Sequence, residues 1–393
     1  MRTIGDYPGV REATMAVARL YSNTLLLGPP VCDELVALVE HMFTEEEAEI
    51  VRNLKPLVPM SARRLAKAAG RSLRDVEDIL ENLANEKYIL VSFGKERRRL
   101  YTVMPIVPGT FESVLVRKSA DSVTPWHVRF AELYEDLYAT GFLADYYHKP
   151  MDSVRYLPVG EALQAQPMAL PSDRLENLLD RYHDFAVGVC QCRLTKQLVG
   201  DGCGKPLEVC TVMGDMAPTL VEQGRMRSVG KSEVLEIKRA AEKEGLVTWI
   251  MNEESGKFTN CSCSCCGCCC GAMRTVSQFN TPGFIAPPHF MPHIDRQTCT
   301  SCGKCSKVCP MGALNVFALG GKEGEKHILH KSERCIGCGL CVVACPEKAL
   351  TLKAVDDYQE PPRGWPSYLA KYARNLLVNN LKVRSQRRST HRA

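Results

Sequence analysis

Two copies of one cysteine pattern dominate this sequence. The first is Cys299, Cys302, Cys305, Cys309, Pro310, and the second is Cys335, Cys338, Cys341, Cys345, Pro346. Each reads C-x2-C-x2-C-x3-C-P, and the copies start 36 residues apart. Thiolates at two-residue gaps wrap a tight loop around the corners of a 4Fe–4S cube, one thiolate to each iron. Gly303, Gly337 and Gly339 would let the backbone approach such a cube closely. Zinc is the competing ligand chemistry. It usually takes two C-x2-C pairs separated by a long spacer, which these two four-cysteine runs do not present.

The double motif resembles the two-cluster ferredoxin family, over about 60 residues of the 393, from Asp295 to Leu352. In that family the fourth cysteine of each run serves the other cluster. The resemblance therefore implies that Cys299, Cys302, Cys305 and Cys345 hold one cluster and that Cys335, Cys338, Cys341 and Cys309 hold the other. Val316 and Phe317 after the first motif, and Leu350 and Leu352 after the second, suit the short strands that close such a domain. No histidine stands at a ligand position, which points to the lower part of the span of roughly −700 to +450 mV open to such centres.

A chain of 393 residues suggests several domains. With 45% hydrophobic and 24% charged residues and a net charge of +5, its bulk is that of an ordinary soluble protein, so only cysteine usage is exceptional. All but Cys32 of the 20 cysteines fall in four clusters. No signal peptide opens the sequence, and no apolar run is long enough to span a membrane. The expected compartment is the reducing cytoplasm, where these cysteines read as metal ligands, not disulfides. The expected class is α+β and multidomain. An N-terminal extension covers 1–33, a winged-helix-like domain 34–110, and a helical connecting region 111–186. A cysteine-rich metal-binding domain covers 187–285, the two-cluster domain 286–355, and a basic C-terminal helix and tail 356–393.

Glu34 to Leu54 has helical apolar spacing, with Leu35, Leu38, Val39, Met42, Ile50, Val51 and Leu54 on one face. Ser61 and Ser72 read as N-caps of two further helices, and Gly70 ends the first of them. Tyr88 to Phe93, a turn at Gly94-Lys95, and Arg99 to Val103 then read as a hairpin. This order resembles a winged helix-turn-helix. The expected recognition helix, Ser72 to Tyr88, carries Arg74 and Lys87 against Asp75, Glu77, Asp78, Glu81 and Glu86. An acidic helix is poorly suited to phosphates, although Lys95, Arg97, Arg98 and Arg99 give a basic wing tip. An interaction module is therefore expected ahead of DNA binding. The region also offers a face for homo-oligomerisation.

Trp126 to Phe142 reads as a packing helix, and Asp173 to Phe185 as another. His127, His148 and His183 are isolated and read as surface or satisfied polar groups. Ser232 to Gly245 reads as an amphipathic helix and Leu246 to Met251 as a strand. Around these lie Cys190, Cys192, Cys203 and Cys210, in a glycine-rich setting. The run Cys261, Cys263, Cys265, Cys266, Cys268, Cys269, Cys270 follows, seven cysteines in ten residues. Such a run is an oxidation hazard unless metal holds it. Neighbouring side chains should diverge, so the seven cannot all serve one cube. Together the two groups resemble a family of bacterial ferredoxin-like iron–sulfur proteins, from about Val187 to Leu352. The resemblance implies at least one further iron–sulfur cluster, with zinc as the lesser reading. Cys265-Cys266-Gly267 and Cys269-Cys270-Gly271 also resemble the paired-cysteine-glycine element of heterodisulfide reductase subunits, which bind non-cubane clusters.

From Pro361 to Ala393 the tail holds eight Lys/Arg and no Asp/Glu. Tyr368 to Leu381 is amphipathic, and disorder is expected from Arg384 onward. Partner docking, contact with an anionic membrane surface, and simple solvation compete as its role. The function expected of the whole is single-electron transfer to or from a partner oxidoreductase. The runner-up is a redox-sensing transcription regulator, and a third reading is a catalytic subunit acting on thiols. No nucleotide-binding fingerprint or catalytic triad stands out.

Overall fold

The computed structural model describes residues 9–94, 98–146, 150–164, 166–253, 256, 259–281, 283–318 and 326–390. Lys95, Arg97 and His148 lie outside them. The protein is a mixture of helix and antiparallel sheet, in keeping with the α+β class.

The N-terminal part runs α1 (Glu12–Tyr21), α2 (Asp33–Met42), α3 (Glu45–Val51), β1 (Met60–Ser61), α4 (Ala62–Ala69), α5 (Leu73–Glu81), β2 (Leu90–Phe93) and β3 (Leu100–Val103). The apolar stretch 34–54 is two helices, not one. Thr44 and Glu47 cap each other's backbone, at 3.3 and 2.8 Å, and start α3 afresh. Ser61 and Ser72 cap α4 and α5 through their hydroxyls, and Gly70 ends α4 in the left-handed region at φ 63. α5 ends earlier than the expected helix, passing into a π turn at Asn82–Glu86. β2 and β3 form the hairpin, and β1 adds to β3. α6 (Phe111–Leu115) and α7 (Pro125–Ala139) complete this part. One apolar core runs from Ala13 to Met151 across residue 110, and Phe111 stacks on Tyr134 at 3.9 Å within it.

The middle of the chain builds a six-stranded antiparallel sheet. Its elements are β4 (Val154–Tyr156), α8 (Gly160–Leu163), α9 (Leu175–Leu179), β5 (Phe185–Val189), α10 (Gln191–Leu198), β6 (Glu208–Gly214), α11 (Met216–Glu222), β7 (Arg227–Val229), α12 (Lys231–Lys243), β8 (Val247–Met251) and β9 (Thr259–Cys265). The strand order is β4-β8-β9-β6-β5-β7. The expected helix at 173–185 shrinks to α9. Phe185 instead opens β5, whose five residues are all buried between β6 and β7. β9 is among the elements that sequence reading missed. Its alternation Cys261-Ser262-Cys263-Ser264-Cys265 is a period of two, which sends cysteines to one face and serines to the other. α12 lies against the sheet with Val234, Lys238 and Ala241 buried.

The last part runs α13 (Gly271–Phe279), β10 (Phe290–Ile294), α14 (Lys304–Val308), β11 (Leu314–Ala318), β12 (Lys326–His330), α15 (Leu340–Val343), β13 (Leu350–Ala354) and α16 (Trp365–Thr390). β10 pairs with β13, and β11 with β12. Gly303 and Gly339, each following the second cysteine of its motif, share φ 75 and start α14 and α15. The sequence repeat is thus a backbone repeat. α16 continues past Arg384, where disorder is expected. Arg384 donates to Thr24 Oγ1 at 2.9 Å, and Arg387 to the carbonyls of Ser22 and Gly28 at 3.1 and 2.7 Å. The tail is therefore docked on the chain's own N-terminal part. No helix among the described residues is long and apolar enough to cross a membrane.

Candidate metal centres

The eight motif cysteines line two cavities. One is lined by Cys309, Cys335, Cys338 and Cys341, with Pro310, Met311, Ile336 and Leu340. The other is lined by Cys299, Cys302, Cys305 and Cys345. The fourth cysteine of each motif lines the cavity of the other. Burial raises Cys335 to about 11 and Cys338 to about 12, so these thiols need a metal to stay ionised at neutral pH. Two glycines are sterically required here. A Cβ at Gly337 would stand 2.5 Å from the Phe290 carbonyl oxygen, and one at Gly339 2.6 Å from Ala162 Cβ. The Ala313 amide donates to Cys309 Sγ at 3.2 Å, the kind of bond that tunes a cluster's potential.

The cysteines between 190 and 270 divide into two groups. Cys203, Cys266, Cys268 and Cys269 bring four sulfurs within 4.8 Å of one another. Cys268 is exposed and Cys203 half-buried, so this group sits at the surface. The second group is buried. Cys210 Sγ lies 3.6 Å from Cys263 Sγ, and the contacts continue through Cys265 and Cys270 to Cys192. Cys190 is buried beside Cys263 and Cys270. Hydrogen bonds from neighbouring thiols hold Cys263 and Cys270 well below the usual thiol range and push Cys210, Cys265 and Cys192 above it. Cys261 lies in apolar surroundings with Ala186, Val212 and Leu220, in neither group.

Adjacent side chains do diverge at Cys265-Cys266 and Cys269-Cys270, each pair splitting between the groups. They converge at Cys268-Cys269, whose sulfurs are 3.7 Å apart. His127 caps α7 through Thr124, and His183 is exposed, so neither joins a thiol group.

Two buried cations that sequence reading passed over border the buried thiols. Lys238 is 1% exposed and donates to the carbonyls of Val209 and Ser262, at 3.1 and 2.8 Å. Arg193 is 2% exposed and donates to Ser264 O at 2.9 Å and Cys266 Sγ at 3.7 Å. Burial lowers the pKa of Lys238, opposed by the sulfurs of Cys263, Cys210, Cys265 and Cys190. Burial also works against the charge on Arg193, and there the sulfurs of Cys190 and Cys266 outweigh it. Tyr156 places its hydroxyl 3.5 Å from Cys270 Sγ. The visible signal was a basic residue on each flanking helix, but only the sheet register reveals that both are buried against sulfur.

The cysteine-rich part and the cavities share walls. Gly267 is pressed on Pro310, next to Cys309, so closely that a Cβ there would stand 1.8 Å from the Pro310 carbonyl oxygen. Cys265 and Cys270 share one apolar cluster with Met311, Ile336 and Cys338. Val159, beside β4, donates its amide to Cys338 O at 2.9 Å.

A family model described as the 4Fe-4S dicluster domain matches residues 298–360. That stretch is a ferredoxin-type iron–sulfur domain. No curated protein and no solved structure matches the chain.

Proposed function

We infer that this chain is an iron–sulfur electron-transfer protein. Its two ferredoxin-type clusters work with at least one further cluster, passing single electrons to or from a partner oxidoreductase. The observation that carries the reading is the seam just described. The buried thiols and the cavity of Cys309, Cys335, Cys338 and Cys341 share an apolar core, with Gly267 tight on Pro310. Cys299, Cys302, Cys305 and Cys345 would hold one 4Fe–4S cluster, and Cys335, Cys338, Cys341 and Cys309 the other. Ligands for the further cluster would come from Cys190, Cys192, Cys210, Cys263, Cys265 and Cys270. When bound, such clusters supply one-electron couples.

The residues around the buried thiols fit an anionic occupant. A thiolate-ligated cluster carries net negative charge; Lys238 brings a positive charge to it, and Arg193, which donates to Cys266 of the other group, also lies beside Cys190 and Cys265, neither cation donating to a carboxylate among the described residues. The apolar wall of Val154, Met273 and Val276 excludes water on the other side. Exposed Phe317 and Leu329, on one face of the β11–β12 pair, offer a contact face for the redox partner.

The N-terminal part reads as a winged-helix scaffold that docks protein in preference to DNA. Arg74, Asp75, Glu77 and Asp78 are the exposed charges of α5, an acidic balance. Arg99 of the wing is held by Glu81, which also accepts from Tyr101 at 2.5 Å. Reductive titration of the anaerobic protein tests the proposal. Uptake of about three or more electrons per chain is expected for three or more one-electron centres. Uptake of about two or fewer overturns the extended array, and tight, sequence-specific, salt-sensitive DNA binding in a mobility shift overturns the carrier reading.

A further inference from the structure

The surface quartet differs in scale from the two motif cavities. Its four sulfurs lie within 4.8 Å of one another, with Cys203 and Cys266 at 4.0 Å and Cys268 and Cys269 at 3.7 Å. Four thiolates around one tetrahedral ion, each about 2.3 Å from the metal, stand about 3.8 Å apart. Around a cube each thiolate has its own iron, and neighbouring sulfurs stand roughly 6 Å apart. Among the described residues the motif cysteines form no such tight group, although each set of four lines one cavity.

We propose that Cys203, Cys266, Cys268 and Cys269 bind a single zinc ion. The donor set is all thiolate, which suits zinc, and zinc outcompetes ferrous iron for a given set of such donors. The surrounding chain gives an independent reason. Cys203 sits in the segment between α10 and β6, where residues 201–206 form neither helix nor strand. Gly200 and Gly204 are in the left-handed region, at φ 79 and 69, with no atom within 4 Å of where a Cβ would be. Besides Asp201 paired with Lys196 and Lys205 donating to the Glu244 carbonyl at 2.6 Å, the segment has no secondary structure to hold it. One ion shared with Cys266, Cys268 and Cys269 fastens it to the end of β9 and the turn leading into α13. Because Cys265 and Cys270 belong to the buried thiols, the same ion fixes the turn that carries both. Zinc is redox-silent, so the site is structural and adds no electron. The proposal rests on sulfur geometry and stands whether or not the chain carries electrons.

The test is metal analysis of the full-length protein purified without oxygen, with zinc K-edge absorption. About one zinc per chain with four sulfurs at about 2.3 Å is expected. Cys203→Ser and Cys268→Ser should each lose the zinc. Absence of zinc from the wild type overturns the proposal. So does retention of a four-sulfur zinc in either variant. The wild-type absorption spectrum decides the matter even if a variant does not fold.

Discussion

Gly267→Ala is the most exacting single substitution for this architecture. A Cβ at residue 267 would lie 1.8 Å from Pro310 O and 2.8 Å from its carbonyl carbon. Ordinary contact begins near 3.4 Å, so the two backbones must part by roughly 1.6 Å. Neither can yield cheaply. Gly267 lies between Cys266 and Cys268, and Pro310 has a ring-fixed φ and follows Cys309. Overpacking of this kind costs typically about 1–3 kcal/mol, and backbone against backbone belongs at the upper end. The assay is thermal loss of the visible iron–sulfur absorption, compared with Gly160→Ala. A Cβ at Gly160 meets nothing nearer than Glu242 Oε2 at 3.9 Å. Gly267→Ala should lower the midpoint by several degrees and reduce coupling between the buried centre and the cluster beside Cys309. A midpoint equal to that of Gly160→Ala would refute the close seam.

Four further expectations follow from the same geometry. Cys309→Ser should perturb the centre of Cys335, Cys338 and Cys341, and Cys345→Ser that of Cys299, Cys302 and Cys305, as resolved by EPR of each variant. Lys238→Met removes a buried positive charge near Cys263 and Cys210, so a mediated redox titration should show the nearby centre becoming harder to reduce. Arg387→Ala takes donors from the carbonyls of Ser22 and Gly28 and should cost about 2 kcal/mol, read as a lower melting temperature and faster proteolysis of α16. Burial raises Glu112 to about 7 from 4.5, so between those values the folded chain keeps a proton the unfolded chain has lost. Stability should therefore fall as pH rises through that window, and Glu112→Gln should flatten the pH dependence of the melting temperature.

What the sequence discloses depends on how local the cause is. The two motifs are legible because three ligands with a glycine after the second are a local backbone pattern, which recurs as the matching φ of Gly303 and Gly339. Ser61 and Ser72 are legible as caps for the same reason. The Thr44–Glu47 capping box was equally visible, but continuous apolar spacing from Leu35 to Leu54 masks the break. The run at 261–270 invites a chemical reading, and that obscures the alternation that makes its first half a strand. Its division into two thiol groups depends on the register of β9 against β6 and β8, which no local pattern carries. Order in α16 is least legible of all, because Arg384 and Arg387 find partners more than 350 residues away.

Iron and acid-labile sulfide per chain, measured on protein purified and reconstituted without oxygen, test the central claim most directly. Two ferredoxin-type cubes account for about eight irons, and a further iron–sulfur cluster in the buried thiols raises the count above eight, with matching sulfide. EPR of the reduced protein should then show signals beyond those of two coupled clusters. A count of about eight, unchanged when Cys210 and Cys263 are replaced together by serine, would contradict the account.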